Sequence, residues 1–133
     1  MQDIIANVKK FGFPLGRYSV VGGGALAARG IRTYDDVDLI VTEDLYEQLK
    51  KSDWEEKEKH PGCFHLYKDN AEVTKNFLNI KGCKLNPADV IKNSEIIDGI
   101  PFMSLNDLIE LKKAIGREKD IKDIELILKF MNR

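Results

Sequence analysis

Between Ser19 and Val41 the chain runs through Ser19-Val20-Val21, three glycines (Gly22-Gly23-Gly24), the small-residue run Ala25-Leu26-Ala27-Ala28, a basic and polar stretch ending in Arg32-Thr33-Tyr34-Asp35, and then Asp36-Val37-Asp38-Leu39-Ile40-Val41. The pattern reads as strand, glycine turn, short helix, loop and second strand. Residues i and i+2 of a strand share a face, so Asp36 and Asp38 converge on one site while Val37 and Leu39 turn into a core. Adjacent carboxylates repel, and one must take up a proton unless a cation relieves them. Oxygen-only donors favour Mg2+, or Mn2+, over zinc. Glycines between a strand and a helix let backbone N–H groups approach phosphate oxygens. Either signal alone also fits a solvated strand start or a tight turn. Together, within Gly22–Asp38, they point to chemistry on a nucleoside triphosphate.

The bulk composition narrows the partners. At 133 residues the chain is expected to form one α/β domain spanning 1–133. Twenty-one basic and 22 acidic side chains leave a net charge of −1, which excludes a global attraction to nucleic acid but permits a local basic patch. No apolar run approaches the ~20 residues that span a bilayer, and no cleavable targeting pattern is seen. A cytoplasmic protein with no membrane partner is expected. Cys63 and Cys83 lack metal-ligand spacing and are expected as free, partly buried thiols.

Around the central stretch the periodicity predicts a mixed sheet flanked by helices. Ile4, Ile5, Val8 and Phe11 predict a helix over 2–11, stopped at Gly12. The alanine run predicts a helix of two turns after the glycines, closed by Gly30. Thr42 stands where it can cap the next helix, whose apolar face is Leu45, Tyr46 and Leu49. A strand with an exposed charged face is expected over Trp54–Lys59, with Trp54 in the core. Strands at 63–67 and 72–78 then form a hairpin around Lys68-Asp69-Asn70. His60 and His65 are expected on the surface or in that hairpin. Pro87–Ile91 suggests a helical turn, and short strands flank Asp98-Gly99. Ser104, with Asp107 three residues on, starts a helix that ends near Gly116, and a terminal helix follows from Lys119.

A rival reading exists. Gly22-x-Gly24-x-x-Ala27, with Glu43 downstream, formally matches a dinucleotide-binding fingerprint. It leaves Asp36 and Asp38 without a role, and it needs a crossover helix where Arg29–Thr33 stand.

With these residues in view, the chain resembles the DNA polymerase β-like nucleotidyltransferase superfamily, and within it the small branch of abortive-infection and toxin-type enzymes. Gly22-Gly23-Gly24-Ala25 resembles that branch's Gly-Gly-x-Ala, Arg32-Thr33 stands where it has Arg-x-Thr, and Asp36-Val37-Asp38-Leu39 matches its Asp-x-Asp-Leu. A second block, Leu108 to Asp123, is similar to its C-terminal helix pair. The resemblance implies a nucleotidyltransferase fold and Mg2+-dependent transfer of a nucleoside monophosphate from an NTP. The acceptor would be RNA, such as a tRNA end, or a protein hydroxyl. Asp36 and Asp38 would hold two metal ions, with Glu72 as the third carboxylate and ligand. Gly22, Gly23, Arg32, Thr33, Lys112, Arg117 and Asp120 would bind or frame the nucleotide. Lys112 and Arg117 also fit the solvated face of a helix, and Glu72 an exposed strand charge. A non-catalytic member that binds nucleotide, or a cognate antitoxin or toxin, is the alternative.

Overall fold

The computed structural model describes residues 3–133; Gln2, where the first helix was expected to begin, lies outside the described residues. Helix α1 (Ile4–Lys9) is capped by Asp3, whose Oδ1 accepts from the Ile5 N–H at 2.9 Å. Then come β1 (Tyr18–Val21), α2 (Gly22–Ala27), β2 (Val37–Val41), α3 (Glu43–Lys50), β3 (Glu55–His60), β4 (Cys63–Lys68) and β5 (Ala71–Thr74). The second half holds α4 (Pro87–Lys92), β6 (Glu95–Ile97), β7 (Ile100–Phe102), α5 (Leu105–Ile115) and α6 (Glu118–Met131). The fold is the expected mixed sheet with flanking helices and a C-terminal helix pair.

All seven strands join one sheet in the order β3-β4-β5-β2-β1-β7-β6. β2 lies antiparallel to β1 and parallel to β5, with Val21 opposite Asp38 and Asp38 opposite Glu72. Strand alternation then sorts the side chains. Val20, Leu39 and Val73 face one side, all fully buried, and Asp38 and Glu72 face the other. The antiparallel β1–β2 pair also removes the dinucleotide reading, which requires parallel strands joined by a crossover helix.

Three local expectations are corrected. α2 starts within the glycines rather than after them, and it is six residues long. Gly22 takes φ +63°, which ends β1 and opens the helix in one residue. Thr42 does occupy the N-cap of α3, but its hydroxyl donates to Asp44 Oδ1 at 2.5 Å instead of accepting from the helix backbone. The strand expected over 72–78 stops at Thr74. There Thr74 Oγ1 donates to Asn76 O, and Asn76 Oδ1 accepts from Leu78 N, so local side-chain bonds outcompete the ladder.

β3 occupies one edge of the sheet with Glu55, Lys57, Glu58 and Lys59 exposed; Trp54, just before it, is buried against Phe11 and Phe13. Both cysteines are free and half-buried, as expected. Among the described residues no helix is long and apolar enough to cross a membrane.

α1 and α2 pack on the Val20 face through Gly24. A Cβ there would stand 2.9 Å from Val20 Cγ1 and 3.1 Å from Ile4 Cδ1. Overpacking of this kind costs about 1–3 kcal/mol, against which alanine's helix propensity returns about 1 kcal/mol. Gly24→Ala should therefore lose stability, and Gly24→Val more. An unchanged urea midpoint for Gly24→Val would contradict this packing.

Candidate active site

The face of the sheet that carries Asp38 and Glu72 opens into a cavity of about 340 Å3. The β1–α2 junction contributes Gly22 and Gly23, and the loop before β2 contributes Arg32, Asp35 and Asp36. Asp38, Lys59, His65 and Glu72 come from four strands, and Lys112, Arg117 and Lys119 from the C-terminal helices and their connection. Of the residues singled out in the sequence, Gly22, Gly23, Arg32, Asp36, Asp38, Glu72, Lys112 and Arg117 meet here. Thr33 and Asp120 do not line the cavity. Thr33 is exposed and offers only its carbonyl, to Arg32 Nη1 at 2.7 Å. Asp120 is fully buried behind Lys112 and Arg117.

Both glycines are closely approached by side chains of the cavity. A Cβ on Gly22 would sit 3.3 Å from Asp38 Oδ2, and one on Gly23 would sit 3.2 Å from Arg32 Nη1. Bare backbone thus lies directly between a carboxylate and a guanidinium. That is a place where a group carrying both phosphate and metal could contact all three.

Glu72 is the best-partnered acid in the cavity. Its Oε2 accepts from His65 Nδ1 at 2.5 Å, Lys59 Nζ at 2.7 Å and the Tyr67 hydroxyl at 3.3 Å. Burial opposes its ionisation, yet the bonds from His65 and Lys59 hold its carboxyl down to about 2. Asp38 behaves oppositely. Burial first, then the neighbouring charges of Glu72 and Asp36, push it up to about 6 against the pull of Lys59. His65, expected on the surface or in the hairpin, is in the hairpin but buried, and an ionised Glu72 requires its Nδ1 to donate. Sequence reasoning missed Lys59 and His65 as members of the cavity. The alternation of β4 and β5 put His65 and Glu72 within reach, but only the register pairs them.

A divalent cation fits Asp36 and Asp38. The donors are oxygen, they share one cavity, and Asp38 carries a crowding that a cation would relieve. Glu72 fits less well, because the oxygen facing Lys59 already takes three donors. Among the described residues no three His, Cys, Asp or Glu side chains gather as a ligand set.

Behind the cavity lies a buried ionic cluster. Asp123 accepts from Arg32 Nε at 2.8 Å and Nη2 at 3.0 Å, and pairs with Lys112 Nζ at 2.9 Å. Asp120 accepts from Lys112 Nζ at 3.3 Å and from Arg117 Nε at 2.7 Å. Lys112 is therefore not on a solvated face, as one reading of the sequence had it. It is 6% exposed and counters two carboxylates.

No protein-family model matches the chain, and no curated protein matches it in sequence. Among solved structures, the crystal structure of ANT(2")-Ia in complex with adenylyl-2"-tobramycin is similar to it. The TM-score is 0.51 at 15% identity, over 96% of this chain and 85% of that one. At that identity the likeness establishes the fold alone: the mixed sheet with its flanking helices is shared with that structure.

The cluster, like Glu72, contributes to the acid stability. Burial opposes ionisation of Asp123, but Arg32 and Lys112 hold it below the usual carboxylate range; Arg117 and Lys112 do the same for Asp120. Folded values below the unfolded one of about 3.9 mean that this stability is complete above about pH 5 and is lost as pH falls through the lowered values. Asp123→Ala leaves Lys112 with Asp120 alone and Arg32 without its carboxylate, and should cost about 1–3 kcal/mol at neutral pH. It should also flatten the loss of stability below about pH 4 in urea titrations. A variant as acid-sensitive as the wild type would remove Asp123 as a cause.

Proposed function

We propose that the chain, acting as one domain over 1–133, transfers a nucleoside monophosphate from an NTP to a hydroxyl acceptor with the help of Mg2+ or Mn2+. The observation that carries this reading is the meeting of Asp36 and Asp38 with Gly22, Gly23 and Arg32 in one cavity of a nucleotidyltransferase fold. Asp36 and Asp38 would hold the cation, which supplies charge neutralisation at the phosphates when bound. Gly22 and Gly23 let the triphosphate approach the backbone. Arg32, Arg117 and Lys119 face it with positive charge, and Lys112 lends a more distant one. The acceptor oxygen attacks the α-phosphorus, its proton leaves to a base, and the bond to the pyrophosphate oxygen breaks. Catalysis then rests on positioning and charge rather than on a protein nucleophile.

RNA, such as a tRNA end, and a protein hydroxyl are the acceptors proposed from the resemblance to the toxin-type branch, where a cognate antitoxin or toxin would be a partner. The similar solved structure is a complex with adenylyl-2"-tobramycin, an adenylylated small molecule, so a small-molecule hydroxyl joins them. A binding-only protein is the second reading, and the triple engagement of Glu72 Oε2 favours it.

Asp38→Asn should lower NTP turnover at least about a hundredfold while the urea midpoint stays at or above that of the wild type, since a crowded, buried charge is removed. Asp36→Asn should behave alike. The measurement is release of labelled pyrophosphate with each of the four NTPs, Mg2+, and total RNA, total protein or an aminoglycoside as acceptor. No turnover by the wild type under any combination would leave the binding-only reading.

A further inference from the structure

Two-metal sites for in-line displacement space their ions about 3.5–4 Å apart and stabilise both the attacking and the leaving oxygen. Here the strand next to Asp38 offers Glu72, directly opposite in the parallel register. The space beside that pair is taken by an ammonium group. Lys59 Nζ stands 2.7 Å from Glu72 Oε2 and pulls electrostatically on Asp38 as well. It lies on the cavity face by strand alternation: Lys57, two residues before it, stands opposite His65, and the ladder becomes irregular only between Glu58 and His60. The other donors to the same oxygen, His65 Nδ1 and the Tyr67 hydroxyl, fix the Glu72 carboxylate in place. Those three donors fill Oε2, so a metal would find only Oε1, on a carboxylate whose charge Lys59 already offsets.

We infer that Lys59 is the second cation of this site: its ammonium, held on Glu72, takes the role of a second metal ion, and the chain binds a single divalent ion at Asp36 and Asp38. This rests on the nucleotide-transfer reading above and gives Glu72 and Lys59 distinct parts in it. Glu72 becomes the anchor of the lysine rather than a metal ligand. A lysine cation has a fixed tether and fixed charge, whereas a second metal would bring its own coordination demand.

The test counts metal ions in the intact protein. Mn2+ is titrated into the chain with α,β-methylene-ATP present, and free Mn2+ is read by electron paramagnetic resonance. The wild type should take one Mn2+ per chain. Lys59→Ala should take a second, weaker ion, because Glu72 is released to coordinate. Lys59→Arg, which keeps the charge, should remain at one. Turnover, where the acceptor is in hand, should fall about a hundredfold in kcat for Lys59→Ala with KM for the NTP changed less, and recover in part in Lys59→Arg. Circular dichroism checks that both variants fold. Two ions in the wild type overturn the inference and leave the transfer reading standing, as does a Lys59→Ala variant that stays at one. No Mn2+ bound by wild type or variant overturns both.

Discussion

The parallel register of β2 on β5 is the constraint on which the site depends. It sets Asp38 opposite Glu72 and Leu39 opposite Val73 in the same stroke. A slip of one residue would turn Asp38 toward the face now filled by Val20 and Val73, and put Leu39 in its place beside Glu72. The apolar side holds the register, and the polar side inherits it. Two carboxylates are thereby fixed side by side at a depth where their repulsion is costly. Lys59, His65 and Tyr67 answer that charge around Glu72, while Asp38 keeps the surplus.

The site is assembled from both ends of the chain, joined through charge. Arg32 lies beside Gly23 at the mouth of α2 and is also gripped in two places by Asp123 of α6. Lys112 of α5 bridges Asp123 and Asp120. The C-terminal helices are thus tied to the loop beside the glycine turn by ion pairs. Such pairs add little net stability over a hydrophobic alternative, but breaking one partner is expensive, so they fix geometry.

Much of this was legible in the residues. The alternation from Val37 to Val41, the Gly22–Gly24 break and the Ser104 cap each carry their own local physics, and the structure follows them. The departures are places where a side chain had two partners to choose from. Thr42 chose Asp44 over the backbone of α3, and Asn76 folded its own loop and ended β5 early. Lys112 sits in a helix whose pattern allowed a solvated face, and only the position of α6 shows why it is buried. Lys59 carried no signal at all. In a run of alternating charges Glu55, Lys57 and Lys59 share a face, and nothing marks Lys59 as the one whose ammonium reaches Glu72.

The same run has a consequence at the outer rim. β3 has one flank free of partners, and an unpaired strand is a template on which another chain can extend the sheet. Here any newcomer would have to strip water from Glu55, Lys57 and Glu58 to reach the backbone beneath. At the opposite rim β6 is only three residues long. The sheet is guarded against growth at one edge by charge and at the other by brevity.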